Sequence, residues 1–199
     1  MAVYTTLAVV LLLISETPSV LGGAGTIWGY QDGLQPASWP LEYRSCGGFQ
    51  QSPIDIQINK VQVNPRLGLF DFTDLNTINN MRLTMENNGH TVEVDVEGRN
   101  ELYITGGGLP GPYIVRQWHY HWGSIDSRGS EHDINGRFFP MEMHVVTYSA
   151  RFRRFEHAKN ATGGLAVLSF QFDIGDENQA FEEVINHLNQ VRHKDDHFD

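Results

Sequence analysis

The clearest pattern in the chain is an alternation of apolar and polar residues, which is typical of β-strands that bury one face. This period of two recurs in four segments that are separated by turn-forming residues: Thr91–Glu97, Tyr113–Trp122, Met141–Tyr148 and Leu165–Phe172. Further along, the apolar residues of segment 176–191 recur at helical spacing. The pattern therefore predicts four strands followed by a helical segment.

Histidines lie on two of the predicted strands. His119 and His121 are two positions apart, so their side chains project from the same face of a strand. His144 lies on the next predicted strand, which an antiparallel connection can bring opposite the first two. Three neutral imidazoles that converge from two strands can hold a divalent metal ion. Three protein ligands leave the fourth tetrahedral position open, as in catalytic zinc sites.

Each of these strands also carries a hydrogen-bonding residue two positions before a histidine, Gln117 before His119 and Glu142 before His144. A metal-binding histidine usually has its second ring nitrogen held by such a partner. The alternation places Val115 on this face as well. Two strand histidines at this spacing are more often partly exposed residues without a metal, but the third histidine and the two partners favour a metal site.

Short motifs around these histidines and elsewhere follow one another in a fixed order. They are Trp28–Tyr30, Gln51–Ile56, Asn88–His90, Gln117–Ser124, Ser130–His132, Met141–Val146 and Gly164–Leu168. In kind and order they resemble the motifs of secreted α-class carbonic anhydrases, from about Trp28 to the end of the sequence. That family is itself the standard example of a catalytic zinc ion held by three histidines.

The resemblance implies a mainly β (α+β) fold, with a large, mostly antiparallel, twisted central sheet and a few short surface helices. It places a single carbonic anhydrase domain over residues 25–199. Family members continue past this point, so the resemblance also implies that the chain is truncated and that C-terminal strands are missing. The missing part would include a threonine that aligns the nucleophile in members of the family.

The reaction implied by the resemblance is the zinc-dependent, reversible hydration of carbon dioxide to bicarbonate and a proton. A zinc ion bound by His119, His121 and His144 lowers the pKa of a water molecule, which makes a nucleophile available near neutral pH. Small-molecule substrates are therefore the expected partners, and association with an extracellular matrix or mineral stays open.

Four further residues match family positions around this chemistry, and a fifth, Glu93, departs from the family pattern. His90 matches the proton shuttle, a role that suits a side chain with an ordinary pKa of about 6.5. Glu131 matches the carboxylate that orients the threonine. Val146 and Val167 match the apolar wall against which carbon dioxide rests. Glu93 lies where many relatives carry a small polar or amide residue, and its charge is expected to alter the proton path.

The length of the chain agrees with a single domain, and its net charge limits the kinds of molecule that it is expected to bind. A chain of 199 residues can bury a sizeable core. Fourteen Lys and Arg residues against 24 Asp and Glu residues give a formal net charge of −10, which disfavours nucleic acid as a partner.

Residues 1–24 have the pattern of a secretory signal peptide. Leu7–Ile14 is an unbroken apolar run that is too short to span a bilayer, and small residues suited to cleavage follow at 19–24. No transmembrane segment is expected. Asn160 begins an Asn-Ala-Thr glycosylation sequence, which is consistent with export. We therefore expect a secreted, extracellular glycoprotein.

Cys46 is the only cysteine. An odd cysteine in a secreted protein suggests a missing partner or an intermolecular bond, although a free cysteine can also serve as a small buried apolar residue. Secreted relatives often pair a cysteine at this place with one far downstream, and this sequence has none.

Two other functions stay open. A secreted, non-catalytic relative would keep the zinc cradle as a zinc-binding or matrix protein and would have lost activity by truncation. A cupin-like oxygenase also uses two histidines at this spacing, but cupins place a carboxylate ligand a few residues later. Here the next glutamate, Glu131, comes ten residues after His121.

Overall fold

The computed structural model describes residues 2–11, 28–29, 35–77, 81–98 and 100–199. Its strands are β1 (Ala2–Leu11), β2 (Asp55–Ile56), β3 (Phe70–Asp71), β4 (Met81–Asn87), β5 (Val92–Gly98), β6 (Tyr103–Gly106), β7 (Tyr113–Trp122), β8 (Asp133–Ile134), β9 (Met141–Ser149), β10 (Leu165–Gly175) and β11 (His197–Phe198). Its α-helices are α1 (Trp39–Glu42), α2 (Phe155–Ala158) and α3 (Glu182–His187). Short 3₁₀ helices span Pro36–Ser38, Arg44–Gly47, Thr73–Thr77, Gln179–Phe181 and Leu188–Gln190.

Within these described ranges, nine strands form one sheet. The order is β1-β10-β9-β7-β5-β4-β11, and β6 pairs with both β7 and β3. Every pairing in this sheet is antiparallel, whereas β2 and β8 form a separate parallel pair. The predicted mainly β fold, with a large antiparallel sheet and a few short helices, is confirmed.

The four strands predicted from the alternation are confirmed as β5, β7, β9 and β10. β5 begins at Val92, because Thr91 still belongs to the preceding turn. β9 and β10 run slightly further than predicted, to Ser149 and Gly175. The predicted helical segment contains α3, which is flanked on each side by a 3₁₀ turn.

One predicted feature of β7 is wrong. The register between β7 and β9 shifts between Val115 and Gln117, an irregularity of the β-bulge kind that changes which residues share a face. Val115 is buried in a cluster against which Trp118 packs, so it lies on the face opposite His119. Beyond the bulge the pairing is regular, which keeps Gln117, His119 and His121 on one face.

The main apolar core lies behind the histidines. Val92, Val94 and Val96 of β5 are buried on that side, and they alternate with residues that face the histidines. Leu168 of β10 is fully buried in the same layer. Full burial of such a side chain contributes about 1.5–3 kcal/mol, so this layer fixes the strands that carry the site.

The edge strand β1 lies within the predicted signal peptide. Its backbone pairs antiparallel with β10, with a register shift between Thr5 and Ala8. Removal of residues 1–24 would uncover this edge of β10. Across the described residues, no helix has both the length and the apolar character needed to span a membrane.

Candidate metal centre

β7 and β9 bring the three predicted histidines together. His119 pairs directly with His144 in the antiparallel register. The ring centroids of His119 and His121 are 5.0 Å apart, those of His119 and His144 5.3 Å, and those of His121 and His144 4.6 Å. One ring nitrogen from each histidine lies within 4.8 Å of the other two. The spacing on two strands therefore produces one convergent donor set.

Two of the histidines have their outer nitrogen held by a residue of their own strand. Nδ1 of His119 lies 2.9 Å from Oε1 of Gln117, and Nε2 of His144 lies 2.6 Å from Oε1 of Glu142. Because both oxygens accept, these nitrogens carry the hydrogen. Nε2 of His119 and Nδ1 of His144 are left as lone-pair donors.

His121 provides the observation that tests the fit of a metal ion. Its Nε2 atom is buried and makes no hydrogen bond within the described part of the chain. Oε2 of Glu131 lies 3.4 Å away, without the alignment of a hydrogen bond. Buried polar atoms almost always have partners, and an ion held by three imidazole nitrogens would supply one. This donor set suits zinc.

Burial keeps these imidazoles neutral. Burial, assisted by the nearby His144, lowers the pKa of His119 from its ordinary value of 6.5 to about 4. Burial and the neighbouring His144 and His119 lower the pKa of His121 to about 3. Both rings are therefore uncharged at neutral pH, which is the form that binds a metal.

The metal-free chain is expected to lose stability as the pH falls below 6.5. Between that pH and about 4, unfolded histidines bind protons that folded His119 and His121 do not, so acid favours the unfolded state. Each histidine contributes a slope of at most about 1.4 kcal/mol per pH unit. Urea unfolding in chelator from pH 7.5 to 4.5 measures this slope, and His121→Gln should make it shallower. A free energy of unfolding that is constant over this range would contradict the expectation.

Glu142 lies at the centre of a buried hydrogen-bond network and is completely inaccessible to solvent (0% exposed). Its Oε1 accepts from rings of His132 and His144 at 2.5 and 2.6 Å, and from the Ser169 hydroxyl at 2.6 Å. Its Oε2 accepts from the backbone amides of Glu131 and His132 at 2.9 and 2.8 Å. One carboxylate therefore fixes the orientation of His144 and the backbone that carries Glu131.

The same network sets the charge of Glu142. Burial alone would raise the pKa of this carboxyl, but the hydrogen bonds from His132, His144 and Ser169 outweigh it and hold the pKa well below its ordinary value of 4.5. The group is thus a carboxylate that supports the imidazole of His144. His132 is buried (3% exposed) with its Nε2 3.1 Å from Oγ of Ser52, which agrees with a structural role.

The sequence model of the eukaryotic-type carbonic anhydrase family matches residues 34–199. The chain belongs to this carbonic anhydrase family. It is 37% identical to carbonic anhydrase 6 of the dog over 191 residues, which cover 94% of this chain and 58% of that protein. It is 36% identical to human carbonic anhydrase 7 over 169 residues (84% and 63%) and 33% identical to human carbonic anhydrase 12 over 187 residues (92% and 52%).

The match confirms the resemblance to the α-class carbonic anhydrases. The chain spans about half the length of the curated relatives that it matches, between 52% and 63% of each. Whether this chain shares the activity of those whole proteins is therefore treated as a proposal.

In this carbonic anhydrase chain, a cavity of about 260 Å³ brings His90, His121 and Glu131 together. Oε2 of Glu131 lies 3.4 Å from Nε2 of His121 and 3.8 Å from Nδ1 of His144. The carboxylate predicted to act beside the metal therefore lies next to two of the three donors. The predicted shuttle, His90, lines the same cavity.

His90 is exposed at the turn between β4 and β5, directly after Asn88 and Gly89. Oδ1 of Asn88 accepts from the backbone amides of His90 and Thr91, each at 3.0 Å. Gly89 has a φ of 86°, which favours glycine at this position. The His90 ring stacks on Trp28, with centroids 3.8 Å apart and planes within 5°. The turn thus holds a solvent-facing imidazole at the cavity.

The two valines predicted for the apolar wall lie beside the centre. Val146 of β9 pairs with Val167 of β10 and with Gln117 of β7. Val146 is two residues after His144, so it shares that histidine's face of the sheet. Both valines are half-buried.

Sequence reasoning missed three contacts of the site. Ser169 bonds to Glu142, Ser52 contacts His132, and Nε2 of Gln117 donates to Oε2 of Glu93 at 3.0 Å. Burial, together with the charges of Asp95 and Glu86, raises the pKa of Glu93. None of these contacts joins residues of one strand, so the alternation along a strand does not indicate them.

Two predicted features lie away from the centre. Asn160 is exposed in the turn that follows α2, as a glycosylated residue must be. Cys46 is an exposed free cysteine, which excludes the buried alternative for this residue.

Proposed function

We propose that the chain binds one zinc ion through His119, His121 and His144 and catalyses the reversible hydration of carbon dioxide to bicarbonate and a proton. The observation that carries the proposal is the buried Nε2 of His121, which lies within a histidine triad and has no hydrogen-bond partner among the described residues. The other two histidines have their outer nitrogens held by Gln117 and Glu142.

A zinc ion bound by these three histidines would act as a Lewis acid and lower the pKa of a water molecule, which would make a nucleophile for carbon dioxide available near neutral pH. The chain's own residues do the remaining work. Val146 and Val167 offer an apolar surface for the substrate beside His144. Glu131 places a carboxylate beside the donor set, with Oε2 3.4 Å from Nε2 of His121. His90 takes up the released proton in the cavity and delivers it to solvent.

We also propose that the protein is secreted after removal of residues 1–24 and carries a glycan on Asn160. The apolar run and small residues of the leader support the first part, and the exposure of Asn160 supports the second. N-terminal sequencing of protein from the culture medium of secreting cells tests the cleavage. An intact Met1 on that protein would overturn it.

The reaction is tested by following carbon dioxide hydration in a stopped-flow pH-indicator assay, with the zinc-loaded chain compared with the chelator-treated chain. Hydration that requires zinc supports the enzyme. Zinc binding through the three histidines without hydration would instead support a non-catalytic zinc-binding or matrix protein.

His90→Ala is expected to lower the turnover number in weakly buffering solution by about 100-fold, the low end of the contribution of a general acid or base, and largely to spare kcat/KM, because only proton export is impaired. Added imidazole should restore much of the loss, since a diffusing base replaces the missing ring. His157→Ala is the matched control, because His157 is exposed on α2. A variant equal to the parent in weak buffer would show that His90 is not the shuttle.

A further inference from the structure

The side-chain amide of Gln117 joins a metal-site histidine to a carboxylate on the neighbouring strand. Its Oε1 lies 2.9 Å from Nδ1 of His119, and its Nε2 donates to Oε2 of Glu93 at 3.0 Å. Glu93 is half-buried and pairs directly with His119 in the register between β5 and β7. The side-chain amide of Gln117 therefore contacts His119 with its oxygen and Glu93 with its nitrogen.

The orientation of this amide decides the tautomer of His119. The two ends of a glutamine amide have nearly the same shape, but one accepts hydrogen bonds and the other donates them. If the amide were rotated by half a turn, its NH₂ group would face Nδ1 of His119. That nitrogen would then have to accept, and the hydrogen would move to Nε2, the nitrogen that faces the centre. A metal could not bind there without displacing it.

Glu93 selects one of the two orientations, because a carboxylate only accepts. Asn88 strengthens the selection. Its Oδ1 is occupied by the backbone amides of His90 and Thr91, which leaves its Nδ2 to donate to Oε2 of Glu93 at 3.4 Å. Two amide donors therefore converge on one carboxylate oxygen, and neither can present an acceptor to it without a cost.

We propose that Glu93 is a positioning residue for the metal centre: it holds the amide of Gln117 so that His119 keeps its metal-binding tautomer. The proposal rests on the proposed zinc site and goes beyond the expectation that Glu93 alters the proton path through its charge. It assigns to Glu93 a role in metal affinity, through two hydrogen bonds in series.

The test compares zinc affinities, measured by competition with a chromophoric chelator, for the full chain and three single variants. Glu93→Gln keeps an acceptor and should bind zinc nearly as tightly as the parent. Glu93→Lys presents a donor and should weaken zinc binding about tenfold or more, within the range typical of lost support for a ligand. Glu86→Lys is the matched charge control, because Glu86 pairs with Glu93 on β4 and the described structure shows no bond from it to Gln117.

Two further measurements separate positioning from general disruption. In a Gln117→Ala background, Glu93→Lys should cause no further loss of affinity, because the linking amide is gone. In ¹⁵N NMR spectra of the metal-free protein, the His119 ring should be protonated on Nδ1 in the parent and in Glu93→Gln. It should shift toward the Nε2-protonated form in Glu93→Lys. If that variant does not fold, Glu93→Leu replaces it with the same expectation.

The outcomes distinguish this inference from the proposed function. A parent chain that binds no zinc would overturn the metal centre, and the positioning role with it. A parent that binds zinc, with affinities and His119 tautomer unchanged by Glu93→Lys or Glu93→Leu, would overturn the positioning role alone. A weakening by Glu86→Lys equal to that of Glu93→Lys would assign the effect to charge and would also overturn it.

Discussion

Replacing Glu142 with alanine is expected to destabilise the metal-free chain by about 3–5 kcal/mol, the range typical of breaking a buried charged network by removing one partner. The substitution leaves the rings of His132 and His144 and the hydroxyl of Ser169 without their acceptor. It also leaves the two backbone amides that Oε2 accepts without a partner in a place that water does not reach.

Urea unfolding monitored by tryptophan fluorescence, in the presence of chelator, measures this loss. Glu97→Ala is the matched control, because Glu97 is an exposed glutamate of β5, and it should change stability by less than about 0.5 kcal/mol. Glu142→Gln keeps the size of the side chain but turns one acceptor into a donor, so it should also destabilise. A loss below about 1 kcal/mol for Glu142→Ala would show that the network contributes little.

Replacing His144 with alanine is expected to remove most of the zinc affinity of the chain. Two imidazoles on one strand remain, and the set of three imidazole nitrogens that converge within 4.8 Å is lost. The loss should exceed the roughly 10- to 100-fold effect of losing an outer hydrogen bond, which is what Gln117→Ala should cause.

Zinc content after gel filtration and chelator competition both measure this effect. His90→Ala is the control, because His90 lines the same cavity but is exposed and outside the convergent donor set. Unchanged zinc affinity in His144→Ala would place the metal elsewhere in the chain.

The sequence predicts the four adjacent strands that carry the site because its strongest signals are local. Strict alternation marks β5, β7, β9 and β10, and the histidine spacing needs only the geometry of a strand and one antiparallel neighbour. The bulge before Gln117 was not predictable in this way. In the sequence, Val115 and Gln117 fit the alternation. Only the pairing with β9 shows that the register shifts between them.

Contacts between distant strands are the part of the site that sequence reasoning did not reach. The bonds from Ser169 to Glu142 and from Gln117 to Glu93 depend on which residues face one another across β9–β10 and β5–β7. A serine or glutamate on a strand is ordinarily a solvated residue, so neither position is distinguished until the register is known. The in-strand pairs Gln117–His119 and Glu142–His144 needed no such information.

Zinc K-edge X-ray absorption on the zinc-loaded chain tests the central claim most directly, because it counts the ligands of the ion. We predict one zinc ion with three imidazole nitrogens and one oxygen ligand, at distances of about 2.0–2.1 Å, and fewer imidazoles in His144→Ala. A sulfur ligand, which only Cys46 or a methionine can provide, or fewer than three imidazoles in the parent chain, would contradict the assignment of His119, His121 and His144.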